Sequence, residues 1–364
     1  MHHSLEVDQP SQRLSRRGLR GLRVGVVSGP MSEDKWTFVE DAPSSECSLV
    51  ALTEALDHMG ALSIHLDPSE PCFVDKVRET DVLLLNCHGR CGADGRLHGL
   101  LDFLGVAYTS CGRLASAVGM DRLVSKAVFE GLGLLTPRGI TLGYASSPPV
   151  STFGFPALLK TVDRGSGVGS CLVRNLEELD HEEALLSARG FERLFLEQLV
   201  PGRSITISVL QTPIGPRALP ALECVKNASI RDEGLTLRGA GAGEATYRWP
   251  GDLPVNTLAA MAEGSCEVFT FLQCRGILRL GFIVDAANVP WALEINTDPG
   301  LDRKGEVPLA AQLAGISYED LVAHLVFEAV ARRGGFPPAW ADSLEVEPMP
   351  SEMPASLGRA SSAR

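Results

Sequence analysis

Lysine is scarce in this chain, with six positions against 27 arginines among 364 residues, so a lysine that falls inside a motif carries more weight than usual. A basic excess is missing too. The formal charge is -12 and the pI is near 5.2, which argues against a protein that clings to nucleic acid or to an anionic membrane, so any anionic ligand must be held by local groups. No run reaches the roughly eighteen consecutive apolar residues that a membrane helix needs. The nine cysteines are an odd number with no secretory segment ahead of them, which fits a reduced, cytoplasmic setting better than a disulfide framework. Ser15-Arg16-Arg17 resembles a twin-arginine export signal, but Gly18-Leu19-Arg20-Gly21-Leu22-Arg23 supplies no apolar h-region after it.

What is present is an ordinary globular composition, 45% hydrophobic and 21% charged, in a chain long enough for two or three subdomains. Residues 1–20 read as a mobile tail. Residues 22–28 form a strand ending at Gly29-Pro30, residues 45–59 have helical apolar spacing with Gly60 as stop, and 82–86 is a nearly uninterrupted apolar strand suited to a sheet covered on both faces. This alternation predicts a small parallel α/β domain over 21–115, with ligand-binding loops at Ser28-Gly29-Pro30 and His88-Gly89-Arg90. A helix over 120–132, strands over 155–160 and 194–197 and a helix over 175–188 predict a second unit over 116–202. Strands over 204–210, 218–224, 276–284 and 290–295, a glycine-rich stretch over 234–243 and helices over 255–272 and 318–332 predict an α+β unit over 203–335. Residues 336–364, rich in Pro, Glu, Ser and Ala without periodicity, are expected to be disordered.

The most informative run is Trp291-Ala292-Leu293-Glu294-Ile295-Asn296-Thr297-Asp298-Pro299-Gly300. Residues two apart on a strand share a face, so Glu294 and Asn296 point the same way. A carboxylate and an amide oxygen side by side are hard ligands of the kind Mg²⁺ takes while it also holds phosphate oxygens. A solvated strand end before a turn has the same sequence, and the tripeptide alone leaves both readings open. Lys160 ends an apolar strand just before Asp163-Arg164-Gly165-Ser166-Gly167-Val168-Gly169-Ser170, where a flexible loop can offer backbone N–H groups to phosphate and the lysine a compact charge. Leu194-Phe195-Leu196-Glu197 runs into a polar hinge where a purine would be read by backbone amides, with Glu197 accepting from its exocyclic amine, and a plain strand and turn explains the segment equally well on its own. Cys87, His88, Cys91 and His98 raise the question of zinc, but their spacing matches no common structural site, and core or strand-end cysteines are the expectation.

Taken in order, these segments resemble the ATP-grasp superfamily, and specifically the D-alanine:D-alanine ligase family, over about residues 22–330. The resemblance rests on His88-Gly89-Arg90 with Asp94-Gly95 and Gly99-Leu100-Leu101; on Ala115-Ser116-Ala117 with Met120-Asp121-Arg122 and Lys126; on Lys160 with Gly165-Ser166-Gly167-Val168-Gly169; and on Glu197, Arg279 and Glu294-Ile295-Asn296-Thr297 with Pro299-Gly300. It implies an α/β plus α+β architecture in which an N-terminal parallel domain precedes two α+β lobes that clamp ATP. It also implies phosphorylation of a carboxylate by the γ-phosphate, followed by attack of an amine on the acyl phosphate. Lys126, Lys160, Gly165, Ser166, Gly167, Glu197, Ser204 and Arg238 would then serve the nucleotide. Glu294 and Asn296 would hold one or two Mg²⁺, with Mn²⁺ as a substitute. Arg279 and the Gly300 N–H would stabilise the oxyanion, Ser166 would close the loop over the reacting centre, and His88 would border the first substrate's pocket. Small carboxylic acids and amines would be the partners, and a homodimer through the N-terminal domain is the family expectation.

The chain also departs from that pattern. The family's first metal carboxylate, two residues after the arginine, falls on Gly281. The serine that grips the second amino acid's carboxylate falls on Gly305, beside Arg303 and Lys304. The lid's Lys-Tyr pair falls near Arg238, the ribose-binding acid becomes Ser204, and the lysine of the Met-Asp-Lys motif becomes Arg122. The loop after Gly29 is lengthened, so that Glu46 and Glu40 both compete to orient the first amino group. These changes predict a ligase with altered amino-acid substrates, at home in antibiotic-like natural-product biosynthesis. The alternatives are a cell-wall D-alanine:D-alanine ligase and a catalytically silent ATP-binding protein.

Overall fold

The computed structural model describes residues 19–29, 42–87, 89, 92–143, 150–163, 170–226 and 245–334. Three parallel strands, β1 (Arg23–Val27), β2 (Leu62–Leu66) and β3 (Val82–Leu85), form the first sheet in the order β2-β1-β3. Val24, Val26, Val27 and the whole of β3 are buried, as a sheet covered on both faces requires. Helix α1 (Ala42–His58) covers one face through Leu52, Ala55 and Leu56. Helix α2 (Phe73–Arg78) contributes Phe73 and Val77 to the other, together with Leu97 and Leu101 of α3 (Arg96–Leu104).

The helix expected over 120–132 is present, and a second helix that the sequence reading did not announce precedes it. Helix α4 (Arg113–Met120) stops at Asp121, and α5 (Arg122–Gly131) starts afresh. Asp121 has extended backbone, and its carboxylate accepts the N–H groups of Leu123 and Val124, both at 3.0 Å, which makes it an N-cap. The central sheet joins β4 (Gly139–Thr141), β5 (Ala157–Thr161), β6 (Cys171–Val173) and β7 (Leu194–Gln198) antiparallel in the order β4-β7-β5-β6. Helix α6 (Leu176–Ala188), capped by the Asn175 side chain, packs on it.

The third sheet holds β8 (Arg203–Thr212), β9 (Gly215–Ala218), β10 (Leu222–Lys226), β11 (Ala245–Arg248), β12 (Ile277–Val284) and β13 (Pro290–Asn296). Its order is β11-β10-β8-β12-β13 with β9 paired to β8, all antiparallel. A strand expected over 218–224 is divided instead: β9 closes a hairpin on β8, and Pro220, which has no N–H to give a ladder, separates it from β10. Helix α7 (Val255–Phe271) covers one face through Leu258, Met261, Val268 and Phe269. After β13 come α8 (Glu306–Leu313) and α9 (Tyr318–Gly334). The stripe Leu321, Val322, Leu325 and Val326 carries α9 back onto α1 and β3, so the last helix completes the core of the first sheet although it follows the third. The glycine-rich stretch over 234–243 and the tail over 336–364 lie outside the described residues. Among those described, no helix is long and apolar enough to cross a membrane.

Candidate active site

Two lysines converge on one carboxylate at the centre of the second sheet. Glu197 on β7 lies opposite Leu158, two residues along from Lys160 on β5, so the two side chains are diagonal neighbours on one face. Lys126 reaches the same spot from α5. Its Nζ lies 2.7 Å from Glu197 Oε1 and donates to Pro137 O at 2.6 Å and Thr136 Oγ1 at 3.1 Å. The Lys160 Nζ donates to Glu197 Oε2. Burial pushes both lysines below the ordinary ammonium range, Glu197 opposing it in each case. Burial also opposes ionisation of Glu197, but the two ammonium groups outweigh it and hold that carboxyl below its usual range. Two cations on one anion leave a surplus positive charge that a phosphate can neutralise. Lys126 engages one Glu197 oxygen and Lys160 the other.

The second cluster stands on β12 and β13. Arg279 opposes Asn296, Gly281 opposes Glu294, and a bulge follows between Gly281 and Phe282. Arg279 Nη2 donates to Glu294 Oε1 at 2.7 Å, and its Nε lies 3.1 Å from Glu306 Oε2 at the start of α8. Burial disfavours the Arg279 charge, but Glu306 and then Glu294 more than offset it and raise its pKa. For Glu294, burial is likewise outweighed by Arg279, followed by Arg122 and Lys160, and its carboxyl is lowered. Lys160 and Arg122 therefore lie near enough to favour the Glu294 charge, and helix α5, which carries Arg122 and Lys126, packs on β13. The packing there is close: α4 and α5 lie against β13, and a Cβ on Gly119 would come within 3.0 Å of Ile295 O.

Gly281 brings no ligand, and the space its side chain would need is occupied, since a Cβ there would lie 2.9 Å from Glu294 Cγ. Asn296 Oδ1 accepts the Asp298 N–H at 3.1 Å. No group of three or more His, Cys, Asp or Glu among the described residues could hold a metal ion. One carboxylate and one amide oxygen fit a Mg²⁺ that arrives on phosphate and keeps waters, which is how this cation ordinarily binds. They would not make a cage without nucleotide.

The remaining expected residues are distributed more widely. Gly300 lies at the turn after β13 with open space where a Cβ would stand. Gly305 N-caps α8, and a Cβ there would crowd Asp302 O at 3.0 Å. Arg303 stacks over Tyr318 at 4.1 Å and pairs with Glu319 at 3.1 Å. Lys304 is exposed beside it, its backbone N–H donating to Asp302. Ser204 lies opposite Ile283, next to Arg203, which is held by Glu223 and Asp252. Glu46 falls in α1, but its side chain is outside the described residues, as are Glu40, His88, Cys91, Gly165, Ser166, Gly167 and Arg238. Of the suspected zinc set, Cys87 and His98 are buried.

Sequence reasoning passes over four features. Glu306, which reads as part of a charged loop, holds Arg279. Asp298 is buried with Oδ2 unpaired beside the Cys87 backbone, and burial raises its carboxyl well above the usual range. Glu223 gathers Arg203 and Arg248. His98 anchors a buried network in which its Nε2 meets Ser110 Oγ at 3.1 Å and Ser116 Oγ at 3.3 Å, while Ser110 donates to Thr297 O at 3.0 Å. Ser110 takes φ 90°, a left-handed conformation uncommon for a residue with a side chain. Glu223 and Asp298 are charged residues inside apolar or turn segments, a signal the sequence does carry, whereas the Ser110 backbone strain and the partners of His98 and Glu306 are set by tertiary contacts.

Residues 145–327 match the family model described as D-ala D-ala ligase C-terminus. The chain is 32% identical over 316 residues to a D-alanine–D-alanine ligase of Bordetella pertussis, covering 85% of this chain and 96% of that protein. It is 30% identical over 325 residues to that of Alcanivorax borkumensis, covering 89% and 98%. Among solved structures, the D-alanine–D-alanine ligase from Bacillus anthracis complexed with ATP aligns with TM-score 0.70 at 22% identity, over 86% of this chain and 99% of that one. The ligase from Coxiella burnetii aligns with TM-score 0.69 at 22% identity, over 87% and 96%.

Proposed function

The chain belongs to the D-alanine–D-alanine ligase family of ATP-grasp, ADP-forming carboxylate–amine ligases, and from that premise we propose that it joins two molecules of D-alanine, the substrate in its relatives' names. The observation that supports this most is the pair of lysines, Lys126 and Lys160, on one carboxylate, with Lys160 also acting on the charge of Glu294 beside Arg279. In this reading a carboxylate oxygen of the first substrate attacks the γ-phosphorus, and ADP leaves. The amine nitrogen of the second then attacks the acyl carbon, the carbon–oxygen bond to phosphate breaks, and the amine proton passes to solvent. Lys126, Lys160 and Arg122 take phosphate charge, and Arg279 with the Gly300 N–H receives the oxyanion. Glu294 and Asn296 would hold Mg²⁺, or Mn²⁺ in its place, which would supply further neutralisation of phosphate charge. Gly165, Ser166, Gly167, Ser204 and Arg238 complete the nucleotide site, and Glu46 and His88 border the first substrate. A cytoplasmic setting and a homodimer through the N-terminal domain belong to the same proposal, and sedimentation velocity tests the dimer.

One observation favours a second reading in which the acceptor differs from D-alanine: Gly305 offers no hydroxyl, and the next residue is the acid Glu306. The narrower expectation of an antibiotic-like pathway has neither a residue nor a relative behind it, and the D-alanine reading replaces it. Incubation with ATP, Mg²⁺ and D-alanine, followed by mass spectrometry of the product and measurement of ADP, separates the cases. D-alanyl-D-alanine with matching ADP supports the first reading. ADP release only from a wider amine pool supports the second. ATP binding without turnover on any acid and amine would return the chain to the catalytically silent alternative.

A further inference from the structure

Arg279 is gripped on two edges by acids from different elements. Glu294 comes from β13 and meets Nη2 at 2.7 Å, while Glu306 comes from the first turn of α8 and meets Nε at 3.1 Å. The two contacts are not equivalent. Glu294 is the more open of the pair, its side chain 38% exposed against 20% for Glu306, and Arg122 and Lys160 also favour its charge. Glu306 holds the other edge of the guanidinium, at Nε, and after burial it is the next cause that raises the phenol of the half-buried Tyr247. A planar guanidinium bound through Nε and one Nη has its plane and its direction fixed, which a single contact does not achieve.

We propose that Glu306 is a positioning residue for the ligase reaction: it anchors Arg279 through Nε, so that the guanidinium keeps its orientation toward the reacting oxygens when Glu294 is drawn to a nucleotide-bound cation. The inference rests on the ligase reading for its catalytic consequence, but not for its binding consequence. A cation and Arg279 are rivals for Glu294. With Glu306 present, Arg279 has a second anion to rest on and yields Glu294 readily. With Glu306 neutral, Arg279 rests wholly on Glu294 and competes harder, and the site also loses a negative charge. Gly281 sharpens the point, because Glu294 is the only carboxylate that the paired strands β12 and β13 direct at this spot among the described residues.

The test compares Glu306→Gln, Glu306→Asp, Arg279→Met and the Glu306→Gln/Arg279→Met double variant in the full chain. For Glu306→Gln, kcat is expected to fall on the order of 30-fold with KM for ATP changed by less than about threefold, as loss of an interaction made in the transition state requires. Glu306→Asp, which keeps the charge but draws it back by one methylene, should recover part of that loss. The double variant should be no slower than Arg279→Met, since a residue that acts only through Arg279 has nothing left to position. Calorimetric titration with ADP and Mg²⁺, which needs no turnover, should show binding weakened about tenfold in Glu306→Gln, because Arg279 then competes harder for Glu294 and the site holds one negative charge fewer. Additive losses in the double variant, or wild-type kcat and Mg²⁺·ADP affinity in Glu306→Gln, overturn the proposal. Should the Gln variant fail to fold, unchanged kcat and affinity in Glu306→Asp overturn it equally. If the wild-type chain turns over no substrate, the ligase reading fails, while the titration still decides on Glu306.

Discussion

Gly281 and Glu294 occupy one space: they are paired across β12 and β13, and a Cβ on the glycine would stand 2.9 Å from the Glu294 Cγ. The missing carboxylate at 281 is therefore structurally matched by the path that Glu294 takes to Arg279. Gly281→Ala should push Glu294 off Arg279 and lower kcat about 10- to 100-fold, the cost of misplacing a catalytic group by roughly an ångström. Gly281→Asp, which restores the family's acid, should meet the same obstruction and fail to raise activity. Steady-state ADP release from both variants checks this, and a gain of activity in either would contradict it.

Glu197 is the counter-charge for two buried lysines. Glu197→Gln leaves both ammonium groups without an anion and should destabilise the chain by about 3–5 kcal/mol, the usual cost of removing one partner from a buried ion pair. Guanidinium denaturation of wild type and variant measures it. Added ATP should recover part of the loss, because phosphate neutralises the same lysines.

His98 makes acid stability pH-dependent with a definite sign. Burial, and then Arg275, depress its pKa to about 4, below the value of about 6.5 in an unfolded chain. A depressed group contributes its full stability above the unfolded value and loses it as pH falls toward the folded value. Between about pH 6.5 and 4 this residue should therefore remove roughly 3 kcal/mol of folding stability. Denaturation of wild type and His98→Gln at pH 7, 5.5 and 4.5 should show the two curves converging toward acid pH, and parallel curves would exclude the assignment.

Asp298 has the opposite sign. Burial raises its carboxyl, so its contribution is intact below the unfolded carboxylate pKa and is lost as pH rises through the folded one. Asp298→Asn, neutral at every pH, should gain melting temperature relative to wild type on going from pH 4 to pH 8. A constant difference across that range would show that Asp298 does not titrate as a buried acid.

Much of the fold is legible in the sequence because apolar period and turn residues act locally. The strands at 22–28 and 82–86 and the helices at 255–272 and 318–332 follow directly from them, and the order of glycine, lysine and acid motifs locates the site. The legible part ends where tertiary contacts decide. The short helix over Arg113–Met120 has no side-chain cap at its start to announce it. Nothing local to α9 says that it returns to the first sheet. A strand end says where the Glu197 carboxylate is, not which cations meet it. Glu306 escapes notice for the same reason, since its partner Arg279 lies 27 residues earlier in the chain. Arg303 and Lys304 share a charged loop with Glu306, but Tyr318 and Glu319 draw the arginine elsewhere.

The central claim is that Lys160 and Glu294, on separate sheets, serve one bound triphosphate. ADP release in the presence of D-alanine, measured for wild type, Lys160→Met and Glu294→Gln under one set of conditions, tests it most directly. Each substitution should cut kcat/KM for ATP by at least about 100-fold in a folded protein, as removal of a preorganised charge from a transferring phosphate does. Wild-type turnover by either variant would contradict the claim.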